Sequence, residues 1–455
     1  MSKINSIDFY NNFSGHLIEH LTKIIDGKSF IDRLRSYNGQ NKERSVIFLA
    51  GDSSLDNKYW PLNDPNEQKL CNKPPINGYE DVLEGNNCIP DVAYQINQAL
   101  IDNRLNDEYV CINTSIEATT LYQRFTGTNY SGDIMLLPQD KFIYDNIKPD
   151  DILIVSIGGN DIALDPLPDV KLNFNSFISK SIRDQKSLSQ MPQYISYFKN
   201  IFKDKVEQYI EKLCSKNLTP NKGLLPSLII PCMVYFPSLT QNGFADDEIL
   251  DPIGYKTGNH KILEDFIKDL YCDSTRYISL MKTKKGFGNP HNIVDPCPLY
   301  EVLDSSNDKL YLRSVEPSIE GGKLMAARFV DQIKIHVNIR SHFSNVGSDD
   351  FGHTYSMQYF RNEFLHYYNV VYTNDKYEIL VTELLLESNK LNHFKKDKYY
   401  YNELKRYINI IFKDLINIDD IQLFIMNQVP ISEAERLLAA HAADFSWGDT
   451  IDDDD

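Results

Sequence analysis

The chain has 455 residues, 42% of them hydrophobic and 12% aromatic, which is enough for a sizeable core and a length that allows two or three domains. Its formal net charge of −17 argues against nucleic acid and anionic membrane as main partners, and no apolar run approaches the length of a bilayer span. The seven cysteines are dispersed without a Cys-x-x-Cys pair, which suggests free thiols in a reducing, cytoplasmic setting.

Residues 1–44 show no charged start followed by an apolar run, so no signal peptide is expected. They contain one amphipathic helix, Phe9 to Leu34, with Phe13, Leu17, Leu21, Ile24 and Ile25 on its apolar face, packed outside the core. His16 and His20 lie four apart on it; without a third ligand they read as a solvated face rather than a metal pair. Next, Val46-Ile-Phe-Leu-Ala50 runs without alternation into Gly51-Asp52-Ser53, the pattern of a strand buried on both faces. Parallel strands carry their chemistry just past the carboxyl end. Ser53 at such a turn meets free backbone N–H groups suited to a developing anion; an ordinary Asp/Ser helix cap is the plainer alternative.

After a polar, proline-rich loop, Asp91 to Leu100 reads as a helix, and Tyr109 to Asn113 as a strand that turns polar through Ser115, Glu117 and Thr120. Residues 138–150 read as a helix, followed by a second buried strand from Asp151 that ends in Gly158-Gly159-Asn160-Asp161. At the same sheet rim, Asn160 could aim a side-chain N–H at an oxyanion formed on Ser53. Residues 170–215 form a helical insertion with Phe198, Ile201, Phe202, Val206 and Ile210 on one stripe. A strand lies within Leu224 to Tyr235, a loop and helix within Asp251 to Asp269, and the last strand region within His291 to Tyr300. This alternation argues for a doubly wound parallel α/β sheet.

The pair Gly51-Asp52-Ser53 and Gly159-Asn160-Asp161, each after a buried strand, resembles the first and third blocks of the SGNH (GDSL-type) hydrolases. The resemblance implies a three-layer α/β/α, flavodoxin-like core over 45–331 and hydrolysis of an ester without cofactor or metal. Ser53 would be the nucleophile, and its N–H with Asn160 the oxyanion hole. Gly51, Asp52, Gly159 and Asp161 would surround the pocket, the two aspartates as structural or rim residues. The family's second-block glycine is missing; Ser115 to Ala118 stand in its place. In the last block, Pro317-Ser318, Gly321 and Met325-Ala326 match, but Arg313 stands where the family has Asp and Glu316 where it has His. In these words the chain resembles a little-characterised eukaryotic branch with Glu-Pro-Ser in the His position.

An ordinary glutamate is a poor base for a serine hydroxyl, and a nearby Arg313 would weaken it further. Three readings therefore stay open: Glu316 as a base with a perturbed pKa, a histidine from elsewhere, or a pocket that only binds. His260 and His291 read as loop or cap residues, and His353, in Asp350-Phe-Gly-His353, is the alternative base. Residues 332–416 read as an α or α+β extension. Residues 417–451 resemble a ubiquitin-associated (UBA-like) module of the type found in the alpha subunit of the nascent-polypeptide-associated complex, with a Ser432/Glu435 capping box. Met426, Gln428 and Leu438 would bind ubiquitin or another protein, although a plain helical hairpin covering a core patch also fits. Residues 452–455 are an acidic tail. Two functions follow: a serine esterase acting on a small-molecule or acylated substrate, or a degenerate hydrolase fold serving as an adaptor.

Overall fold

The apolar run ending at Gly51 forms strand β1 (Ser45–Gly51) of a parallel sheet, paired on both sides. The computed structural model describes residues 2–36, 43–127, 129–216, 225–278, 280 and 293–344. By contacts the chain divides into Met1–Gly347 and Ser348–Asp455, and the described residues belong to the first unit. His291, His353, most of the 332–416 extension, the UBA-like segment with Met426, Gln428 and Leu438, and the acidic tail lie outside the described residues.

In chain order after β1 come α1 (Val92–Asp102), β2 (Tyr109–Asn113), α2 (Pro138–Asn146) and β3 (Ile152–Ser156). The insertion follows as α3 (Pro168–Asp184), α4 (Pro192–Lys199) and α5 (Val206–Cys214), with a π-helical segment, Asn200–Lys205, joining the last two. Then come β4 (Leu228–Met233), α6 (His260–Asp273), β5 (Cys297–Pro298) and α7 (Ile319–Ser344). The strands lie in the order β5-β4-β3-β1-β2, all parallel, and Ile293–Val294 also pairs with β4. Helices cover both faces, as strand alternation requires. Val46, Phe48 and Ala50 join a core with Phe142 of α2 and Tyr209 and Ile210 of α5. Ile47 and Leu49 point to the opposite, equally dry face, where α1 and α7 pack together. The order reverses between β1 and β3, so the exits of these two strands diverge and leave a crevice at their carboxyl ends.

The long helix expected over Phe9–Leu34 is not formed. Short helices Ser6–Tyr10, Ile18–Leu21 and Phe30–Arg35 alternate with turns and a two-residue hairpin. Gly15 and Gly27 (both φ +81°) and Asp26 (φ 45°) take left-handed conformations that a helix cannot pass through. Phe9, Leu21, Ile25, Phe30 and Leu34 nonetheless enter the core. His16 is not on a solvated face: it is buried, stacked on Phe9, and its Nδ1 lies 2.8 Å from the Phe9 carbonyl. Burial pushes its pKa well below the usual value. Arg35 forks onto Asp151 with bonds of 2.7 and 2.6 Å, and the same carboxylate accepts the Val46 and Lys148 amides. This ties the N-terminal segment to the roots of β1 and β3. All seven cysteines are free thiols, and among the described residues no helix is long and apolar enough to cross a membrane.

Candidate active site

β1 leaves the sheet through a position that only glycine can fill. Gly51 has φ +140°, and a Cβ there would stand 1.7 Å from the Ser156 carbonyl oxygen of β3. The Asp52 amide donates to that oxygen at 3.1 Å, and the Leu55 and Asp56 amides fold back onto the Asp52 carbonyl. Ser53 thus sits in a tight turn at the β1/β3 crevice, and among the described residues its own N–H has no acceptor. The turn is held from behind by Arg124, fully buried, which donates to the Gly51 carbonyl while pairing with Asp140 at 3.0 Å.

The Ser53 hydroxyl lies 3.4 Å from Oε1 of Glu316, long for an O–H···O bond but within reach. Glu316 is carried by a short antiparallel hairpin, Tyr311–Leu312 with Glu316–Pro317, that leads into α7. Asn57, four residues past the nucleophile, donates to the Pro317 carbonyl, Tyr235 donates to the Val315 carbonyl at 2.7 Å, and Ser318 caps the start of α7 through the Gly321 amide. Gly321 is needed there because a Cβ would meet the Leu310 carbonyl oxygen at 2.2 Å.

Burial, and next the nearby Asp52 charge, push the Glu316 carboxyl up to about 8. Among the described residues its Oε2 has no hydrogen-bond partner. The expectation that Arg313 would pull this value down is overturned. Arg313 occupies the hairpin turn at φ +58°, exposed to solvent, and the charged neighbours acting on Glu316 are carboxylates.

Asn160 opens a one-turn helix after Gly158-Gly159. Its Nδ2 donates to the Thr119 carbonyl at 3.0 Å, and a carboxamide nitrogen has a second N–H to give. Asp52 accepts the Ser54 amide and hydroxyl on Oδ1, and burial raises it to about 6. Ser53, Asn160, Glu316, Asp52 and Gly159 all line one cavity of about 100 Å³. Gly51 and Asp161 do not line it, against expectation. Gly51 is pressed onto β3, and Asp161 turns away to accept the Leu121 and Tyr122 amides and the Tyr130 hydroxyl. Among the described residues no histidine lines the cavity, and His260 lies at the start of α6.

Two features escaped the sequence. Glu117, just past β2, is buried beside the site, accepting the Trp60 indole N–H at 3.3 Å on Oε1 while Oε2 has no partner. Burial, followed by the Glu316 and Asp56 charges, drives it to about 10, so it keeps its proton at neutral pH. The only hint was a strand turning polar at the rim. Next to it, Ala118 holds a left-handed φ of +58°, the conformation that the missing glycine would have allowed without strain.

No protein-family profile matches the chain, and no curated protein matches it significantly. Among solved structures it is similar to an inhibitor-bound aryl esterase of M. smegmatis (11% identity, TM-score 0.30, covering 64% of this chain and 98% of that one). It is also similar to a carbohydrate acetylesterase from Sinorhizobium meliloti (12%, 0.29, 64% and 99%) and to a variant acetyl xylan esterase from Geobacillus stearothermophilus (12%, 0.26, 64% and 94%). Likeness of this degree identifies neither a family nor a substrate.

Proposed function

We propose that the chain is a serine ester hydrolase of the SGNH type, with Ser53 as nucleophile, Glu316 as general base and the Ser53 N–H and Asn160 carboxamide as oxyanion donors. The observation that carries this reading is the 3.4 Å approach of the Ser53 hydroxyl to a buried carboxyl at the floor of a cavity. Ionised Glu316 takes the hydroxyl proton as Oγ adds to the ester carbonyl. The two N–H donors receive the oxyanion, and protonated Glu316 returns the proton to the departing alkoxide. Water then repeats the cycle on the acyl-enzyme, giving acid and alcohol.

The displaced pKa gives the carboxylate the basicity that an ordinary glutamate lacks. A carboxyl at about 8 is a much better proton acceptor once ionised, near the range where imidazole works. Below that value it is protonated and the enzyme idles, so kcat/KM climbs with pH through about 8.

The test is hydrolysis of p-nitrophenyl acetate from pH 5 to 10 by wild type, Ser53→Ala and Glu316→Gln, with melting curves as the check on folding. Ser53→Ala should lose at least about a thousandfold. Glu316→Gln should lose about a hundred- to ten-thousandfold together with the rising limb. Equal rates in wild type and Ser53→Ala overturn the assignment; an unchanged pH profile in Glu316→Gln removes the base. Adaptor activity through residues 417–451 is a separate proposal, tested by capture of ubiquitin with and without that segment.

A further inference from the structure

The cavity has two chemically different parts. Its polar groups are the cluster around Ser53: Asp52, Ser54, Asn160 and Glu316. Most of the remaining lining is hydrocarbon. Leu263, Phe266, Ile267 and Leu270 line it from α6 at positions i, i+3, i+4 and i+7, a single continuous helical stripe. Phe202 closes it from the π-helical segment, and Ala163 from the turn after Asn160. No lysine, arginine or histidine lines it among the described residues. A phosphorylated substrate would therefore find no cationic side chain to pair with, and a sugar would bring hydroxyls to walls that cannot bond them.

We propose that this cavity holds the acyl part of the substrate as an aliphatic chain of several carbons, so that the preferred substrate class is acyl esters longer than acetate, up to medium chain length. The inference rests on the Ser53 hydrolase reading for the position of the reacting carbonyl. The acyl half is assigned to the cavity because the walls run into the packed core, where Phe266 and Leu270 are each 1% exposed. The leaving alcohol must depart before water can attack the acyl-enzyme, whereas the acyl chain must stay through both steps. A pocket walled mostly by hydrocarbon suits the half that stays.

Burying one methylene is worth about 0.8 kcal/mol, or about fourfold. For p-nitrophenyl esters from acetate to dodecanoate, below their micelle concentrations, kcat/KM should climb by up to about fourfold per added carbon and then level off when the chamber is full. Ala163→Phe should shift the optimum to shorter chains and cut the dodecanoate-to-acetate ratio by at least about tenfold. A second series keeps the acetyl group and lengthens the alcohol; it should be nearly flat. A third measurement needs no turnover and uses wild type melting as its folding standard: calorimetric titration of dodecanoate into Ser53→Ala should show binding that Ala163→Phe weakens. Ser53-dependent hydrolysis that is flat with acyl length, or that rises only with alcohol length, overturns the acyl-chain inference and leaves the hydrolase standing. Dodecanoate binding with no turnover of any ester overturns the hydrolase while the aliphatic ligand survives. Neither binding nor turnover overturns both.

Discussion

The strand exits and the base-bearing hairpin hold their chemical groups by different means. At the exits of β1 and β3 the main chain does the positioning. Gly51 is wedged against the Ser156 carbonyl, and the Asp52 amide locks onto the same oxygen, so Ser53 has little freedom once the sheet has formed. The 311–317 hairpin has only two residue pairs of its own. Side chains from elsewhere hold it: Tyr235 on Val315, Asn57 on Pro317 and Ser318 on Lys309. Ser53 is thus set by the fold, and Glu316 by a ring of individual hydrogen bonds. The first should fail all at once, and the second by degrees.

The largest effect should come from Gly51→Ala. A methyl group 1.7 Å from a carbonyl oxygen cannot be accommodated without moving β1 from β3, so soluble folded protein and activity should vanish together, read by circular dichroism and ester turnover. Survival of both would show that the exit is softer than the sheet. Next comes Asn160→Ala, which should lower kcat by about a hundred- to a thousandfold if it is the proposed oxyanion donor, with only about 1 kcal/mol of stability lost along with its bond to the Thr119 carbonyl. Tyr235→Phe sharpens the other side. It removes the partner of the half-buried Val315 carbonyl, costing about 1 kcal/mol of stability, and should lower activity by no more than about tenfold as Glu316 gains freedom. A loss as large as that of Asn160→Ala would mean that the hairpin is as exacting as the strand exits.

The smallest effect on rate belongs to Glu117→Gln. At pH 8 the native carboxyl is already neutral, so an amide should change kcat/KM by less than about threefold. Its signature is instead in stability. Glu316 and Glu117 have folded values far above the ordinary 4.5, so the native state retains protons that the unfolded chain has lost. Their stabilising contribution is complete below the unfolded value and fades as pH rises, through about 8 for Glu316 and about 10 for Glu117. Melting temperature should therefore fall as pH rises from about 5, and Glu117→Gln should make that fall shallower up to about pH 10.

The same contrast governs what could be read beforehand. The exits were legible because a fully buried strand needs an uninterrupted apolar run, and Val46–Ala50 and Ile152–Val155 are such runs, each followed by a glycine-marked turn. Helix α1 was legible from its period, and the structure adds that Asp91 caps it. The hairpin was not: strands of two residues have no period to detect, and the 263-residue separation of Ser53 from Glu316 is closed by topology alone. Glu316 stood out only through the Pro-Ser and glycines around it. The reversal of Arg313's expected influence has the same origin, since neighbours in sequence become opposite ends of a turn. The N-terminal helix failed because its apolar spacing was real while Gly15 and Gly27 within it were treated as passive.

The fork between Arg35 and Asp151 bears on how this molecule can be dissected. Asp151 is fully buried, and the arginine is the cation that neutralises it. Trimming the chain to begin at residue 45 would strand an ionised carboxylate beneath two strands and uncover the core surface lined by Phe9, Phe30 and Leu34. The leading segment therefore acts as the foundation plate of the sheet, and any minimal version of the protein has to retain it.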